Sequence, residues 1–135
     1  MPEVFADSFY WIALANPADA SHKTATKFSQ TNPEAALVTT DEVLSAFLNY
    51  FSAAGERKRD VVASMFEETM NHPRIVVLSQ TRESLLRGFA LYKARGDKTY
   101  SLTDCISMTT MRERNITEVL THDRHFAQEG FKLLF

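Results

Sequence analysis

Cysteine is almost missing from this 135-residue chain. Cys105 stands alone, so no internal disulfide can form and a reducing compartment, the cytoplasm, is expected. Glycine and proline are scarce too, at four each, and they never gather into a linker. One domain over residues 1–135 is therefore expected, a size that can bury a core without covalent staples. No apolar run approaches the ~18 residues of a membrane span. Residues 1–7, Met-Pro-Glu-Val-Phe-Ala-Asp, carry no basic segment, so no signal peptide and no membrane partner are expected. There is also no excess of positive charge. The 15 Lys and Arg face 17 Asp and Glu, for a net charge of −2, which argues against broad electrostatic binding of nucleic acid. It leaves room for a nuclease whose acids hold metal, because a bound cation restores local attraction to phosphate.

What is present is an alternation of short strand-like runs with longer helical patterns, which points to βα units around a mainly parallel sheet. Val4-Phe5-Ala6 reads as a first strand leading into a helix over 8–15, which Asn16-Pro17 interrupts. A helix over 18–29 follows, and Ala36-Leu37-Val38-Thr39 is the second strand. Thr40 is placed to cap a helix over 41–54, whose Val43, Leu44, Phe47, Leu48 and Phe51 share one face. Another helix runs over 57–70. Ile75-Val76-Val77-Leu78 reads as a strand buried on both faces. Helices then follow over 81–94 and 101–114, the second opened by the capping box Ser101-Leu102-Thr103-Asp104. A strand over 119–121, a helical turn over 124–128 and an edge strand over 131–135 complete the pattern.

The acids fall where strands end or helices begin: Asp7, Asp41, Glu42, Asp97, Asp104 and Asp123. In open α/β sheets ligands bind beyond the carboxyl ends of the strands. Carboxylates gathered there repel one another unless a cation joins them, and hard divalent ions prefer oxygen donors. Each acid also has a plain reading. Asp7 and Asp123 can serve as helix caps, Asp104 as the far end of a capping box, and Asp41 and Glu42 as first-turn partners of a helix dipole.

The local motifs go further. Val4-Phe5-Ala6-Asp7-Ser8-Phe9-Tyr10 resembles the opening of PIN-domain proteins. Leu37-Val38-Thr39-Thr40-Asp41-Glu42-Val43-Leu44 is similar to the second block of the VapC-type toxins in that family. Tyr100-Ser101-Leu102-Thr103-Asp104-Cys105-Ile106-Ser107 is similar to the third, and Leu120-Thr121-His122-Asp123-Arg124-His125-Phe126 with Gly130 to the fourth. Four blocks in order cover essentially the whole chain. The resemblance implies a three-layer α/β/α fold with a mainly parallel central sheet. It implies a ribonuclease dependent on Mg²⁺ (or Mn²⁺), usually a toxin neutralised by a small antitoxin protein and commonly a homodimer. Asp7, Asp104 and Asp123 match acidic, metal-holding positions of the family, and Asp97 lies near the third block as an auxiliary acid.

One position departs from the pattern. Where the family's second block carries a glutamate, this chain has Ala46, one helical turn beyond Glu42. Three readings stay open: a chain from which the glutamate has been removed, a variant in which Glu42 or Asp41 takes its place, or a member that binds RNA or an antitoxin without cutting. Glu42 is the better substitute by direction, although it starts about 6 Å away along the helix axis.

The remaining features are weighed against ordinary structure. His22, His72, His122 and His125 lack zinc-site spacing and read as surface or supporting residues. Cys105 reads as buried and inert. Phe9, Tyr10 and Trp11 could stack on a base, but fit core packing better. Lys93, Arg95, Lys98 and Arg124 lie nearest the acids and are the expected phosphate contacts. The Arg57-Lys58-Arg59 run reads as solvated surface. A phospho-acceptor receiver domain would need adjacent acids after the first strand and a lysine after a late strand, and neither is present.

Overall fold

The structure is a computed structural model and describes residues 2–135. Five strands and seven helices alternate along them. They are β1 (Glu3–Ala6), α1 (Ser8–Ala15), α2 (His22–Thr31), β2 (Ala36–Thr40), α3 (Asp41–Tyr50), α4 (Glu56–Asn71), β3 (Ile75–Leu78), α5 (Arg82–Ala94), α6 (Leu102–Glu113), β4 (Glu118–Leu120), α7 (Arg124–Gln128) and β5 (Lys132–Leu133). The strands form one sheet in the order β3-β2-β1-β4-β5, and every pairing is parallel. The order reverses direction at β1. The first two crossovers build outward to one side, and the long connection through α5 and α6 returns to place β4 on the other. This is a topological switch point, where open α/β sheets form their ligand crevice. Asp7 follows β1 there, and Asp123 lies just beyond its neighbour β4.

Helices cover the sheet as a three-layer α/β/α arrangement. α1 packs on α2 and α3, and α3 on α4. α5 packs closely along α6, which also meets α7. The core runs through the sheet: Phe5, Val38, Val119 and Leu120 are fully buried with Phe47, Met108, Met111 and Phe126 from the helices. Tyr10 and Trp11 are buried in this core, as core packing of that aromatic run requires.

Local polar chemistry shifts several boundaries. α2 begins at His22, later than residue 18, because side chains hold the intervening turn. Ala18 N donates to Asn16 Oδ1 at 3.1 Å and Ser21 N to Asp19 Oδ1 at 2.8 Å, offering the backbone an alternative to helix. α3 stops at Tyr50, and residues 51–54 form turns. The apolar run of β3 is not buried on both faces: β3 stands at one edge of the sheet, and Val76 is 39% exposed. A continuous apolar run reports β propensity but not whether a neighbour covers it. The Arg57 run is at the surface as expected, with Arg57 and Arg59 exposed and Lys58 half-buried. Lys58 Nζ donates to Ala15 O, and Arg59 Nη1 to Ser52 O at 3.0 Å, tying α4 to the chain before it.

Candidate metal centre at the carboxyl ends of β1 and β4

Asp7 stands at the end of β1 in extended conformation and is only 3% exposed. Its Oδ2 accepts a hydrogen bond from Thr121 Oγ1 at 2.9 Å. Burial pushes its pKa up to about 7. The Thr121 hydroxyl and the Ser8 backbone pull it down, and the charges of Asp104 and Asp123 push it up again. A buried carboxylate that feels two others is destabilised as an anion until a cation arrives. Thr121, fully buried, also accepts from Asp123 N at 3.1 Å. One hydroxyl thus links the acid after β1 to the acid after β4.

Asp104 sits in the first turn of α6. Its Oδ2 accepts from Ser101 N while Ser101 Oγ accepts from Asp104 N, both at 3.0 Å. The expected capping box is therefore formed in full, and it fixes the carboxylate's direction. Burial raises the Asp104 pKa against the opposing Ser101 hydrogen bond, and nearby Asp123 raises it further. Asp123 caps α7, its Oδ1 accepting from His125 N at 3.0 Å. The imidazole of His125 then lies between the two acids, with Nδ1 3.3 Å from Asp104 Oδ2 and 3.3 Å from Asp123 Oδ1. Donor atoms of Asp104, Asp123 and His125 all fall within 4.8 Å of one another, and each residue is half-buried. Two carboxylates and an imidazole, beside a buried acid whose pKa is raised, form a donor set that fits a divalent cation.

A model of the PIN domain matches residues 4–132, essentially the whole chain. The chain belongs to the PIN domain family. Two curated relatives from Mycobacterium tuberculosis, strains CDC 1551 / Oshkosh and H37Rv, are each named 23S rRNA-specific endonuclease VapC20. Each is 26% identical to this chain over 132 residues, covering 95% of both chains. The crystal structure of Mycobacterium tuberculosis VapC20, described as a Sarcin-Ricin loop cleaving toxin, superposes with a TM-score of 0.83 at 23% identity, again over 95% of each chain. That likeness confirms the PIN-type fold.

The other residues singled out in this PIN domain divide by their surroundings. Glu42 carries both carboxylate oxygens buried with no hydrogen-bond partner, in a cleft it shares with Leu78, Ser84, Arg87, Ile106 and Thr110. Burial raises its pKa, and the charge of Asp41 adds to the rise. Asp41 Oδ2 accepts from Gln80 N at 3.1 Å. Both stand outside the Asp104–Asp123–His125 group. Ala46 is half-buried on α3, and Asp97 is exposed. Among the four cations, Lys93, Lys98 and Arg124 are exposed. Arg95 is engaged: its guanidinium binds the carboxylate of Glu129, which is 5% exposed and also takes Arg112 Nη2 at 2.6 Å.

Sequence reasoning passed over Thr121, Glu129 and the central place of His125. His125 showed a faint signal, three residues from His122 and two from Asp123. Thr121 and Glu129 showed none, because their partners are remote in the chain.

Proposed function

We propose that this PIN domain is a divalent-metal-dependent endoribonuclease of the toxin type, with RNA as substrate and a small antitoxin protein as its natural inhibitor. The observation that carries the proposal is the gathering of Asp104, Asp123 and His125 within 4.8 Å of one another, with buried Asp7 tied to the Asp123 backbone through Thr121. Family membership supports the chemistry, and the VapC20 relatives make ribosomal RNA the first substrate to test.

Asp7, Asp104 and Asp123 are the residues that would hold Mg²⁺ or Mn²⁺. The ion would supply charge stabilisation for an in-line phosphodiester displacement and an acidified water. The chain's own residues prepare that step. Ser101 N orients Asp104, and Thr121 orients Asp7 while it braces the Asp123 backbone. Exposed Lys93, Lys98 and Arg124 would meet phosphates along the bound strand. Arg95 contributes through Glu129, by holding the segment between α5 and α6 in place.

Ala46 bears directly on this reading. A glutamate there would add a fourth carboxylate. Glu42, pointing into its own cleft, and Asp41, occupied by Gln80 N, are poorly directed to replace it. We therefore expect this chain to cleave weakly, and the same observation supports a second reading as a non-catalytic binder of RNA or antitoxin. Incubating the chain with ribosomal and total RNA in Mg²⁺, in Mn²⁺ and in EDTA tests the proposal, with Asp104→Asn as control. Slow cleavage that requires metal and disappears in Asp104→Asn supports the nuclease. RNA binding without turnover supports the second reading.

A further inference from the structure

We propose that His125 is itself a metal ligand, giving the centre a nitrogen donor and a preference for Mn²⁺ over Mg²⁺. This rests on the metal-dependent reading above and specifies it further.

Three observations converge. First, His125 Nδ1 is equally distant, 3.3 Å, from one oxygen of Asp104 and one of Asp123. A charge-assisted hydrogen bond between such groups normally closes to about 2.7–2.9 Å, so neither contact is a well-formed pair. Donor atoms on adjacent positions of one ion, with bonds of about 2.0–2.2 Å at right angles, stand about 3 Å apart. The spacing resembles a shared coordination sphere more closely than an ion pair.

Second, the other ring nitrogen is held from outside the group. His125 Nε2 lies 2.9 Å from Thr99 Oγ1. A hydroxyl can donate or accept, so Thr99 suits both tautomers. In the tautomer with the proton on Nε2, that proton would be donated to Thr99 Oγ1, and the Nδ1 lone pair would be free for a cation. A metal-bound histidine ordinarily has such a partner on its second nitrogen.

Third, the ring is packed against Tyr100, with centroids 5.3 Å apart. Tyr100 is buried, and its hydroxyl donates to Glu129 at 3.2 Å. The imidazole therefore has a fixed wall on one side and a fixed hydrogen-bond partner at its far end. Imidazole nitrogen suits transition ions, whereas Mg²⁺ favours oxygen and water. A centre of one imidazole and two carboxylates, the latter donors that Mn²⁺ and Mg²⁺ both accept, therefore favours Mn²⁺ over Mg²⁺.

Mn²⁺ titration of the whole chain followed by electron spin-echo spectroscopy is the test. We expect one bound Mn²⁺ with a nitrogen-14 coupling typical of imidazole, lost in His125→Ala. Mn²⁺ affinity should fall roughly 10–100-fold in Thr99→Val, which removes only the outer partner, while Mg²⁺ affinity changes less. Bound Mn²⁺ with no nitrogen coupling in the unaltered chain would overturn the assignment of His125 and leave the metal-dependent nuclease intact. A coupling that persists in His125→Ala would place another histidine on the ion and also overturn it. Failure of the unaltered chain to bind Mn²⁺ at all would overturn the metal-dependent reading and this inference with it.

Discussion

At the scale of single residues, Asp7 sets a cost against a function. Its folded pKa of about 7 lies above the ordinary 3.8. The folded state therefore holds its proton over a range where the unfolded chain has lost it. Stability is unpenalised below about pH 4, falls as pH rises toward 7, and carries the full penalty above that. A shift of this size corresponds to at most about 4 kcal/mol. Asp7→Asn removes the charge but leaves an amide imperfectly paired, at a cost of about 1–3 kcal/mol. We expect the variant to melt roughly 3–8 °C higher than the unaltered chain at pH 8 without metal. Near pH 4, where the penalty on Asp7 is nearly gone and the cost of the amide remains, the order should reverse, and any nuclease activity should be abolished. Thermal melts at the two pH values check this, and a variant less stable at pH 8 would refute it.

Between elements, Glu129 and Gly88 hold the segment that carries Asp104. Burial pushes the Glu129 pKa up, but Arg95 and Arg112 more than offset it and bring it down to about 2. Its contribution is present above the ordinary 4.5 and lost as pH falls through 2. Because both guanidiniums are partly exposed, solvent screening reduces the value of the network. Glu129→Gln should cost roughly 1–3 kcal/mol at pH 7 and much less near pH 2, as denaturant unfolding at the two pH values would show. Gly88 faces α6 so closely that an added Cβ would lie 2.4 Å from Ile106 Cγ1 and 2.9 Å from its Cα. Gly88→Ala gains up to about 1 kcal/mol in helix propensity but forces α5 from α6, with overpacking of about 1–3 kcal/mol. A net loss of stability is expected in urea unfolding.

These elements also show how far the sequence could be read. The strand ends bearing Asp7 and Asp123 were legible because apolar runs stop at them. Asp104 was legible because its capping box is local, spanning three residues. The bond from Thr121 to Asp7 joins residues 114 apart, and those of Glu129 to Arg95 and Arg112 span 34 and 17. No local pattern announces such pairs. The spacing of His125 from Asp104, 21 residues, hid the imidazole in the same way. The sheet order, which makes β3 an edge, depends on a crossover that apolar periodicity does not encode.

For the whole molecule, a ligand that binds only the folded state stabilises it by about 2.7 kcal/mol at 100 times its dissociation constant. Saturating Mn²⁺ should therefore raise the melting temperature by several degrees, and Asp104→Asn should remove most of the rise. On the proposed reading, the acidic group and Ala46 of this PIN domain belong to a nuclease centre short of one carboxylate. Restoring it is the most direct test. Ala46→Glu and the unaltered chain should be compared on the same RNA, with Mg²⁺, with Mn²⁺ and with EDTA. The account predicts cleavage by Ala46→Glu at least 10-fold faster than by the unaltered chain, about 1.4 kcal/mol of barrier, and none in EDTA. Equal absence of cleavage in both chains, with metal bound and ribosomal RNA present, would contradict it.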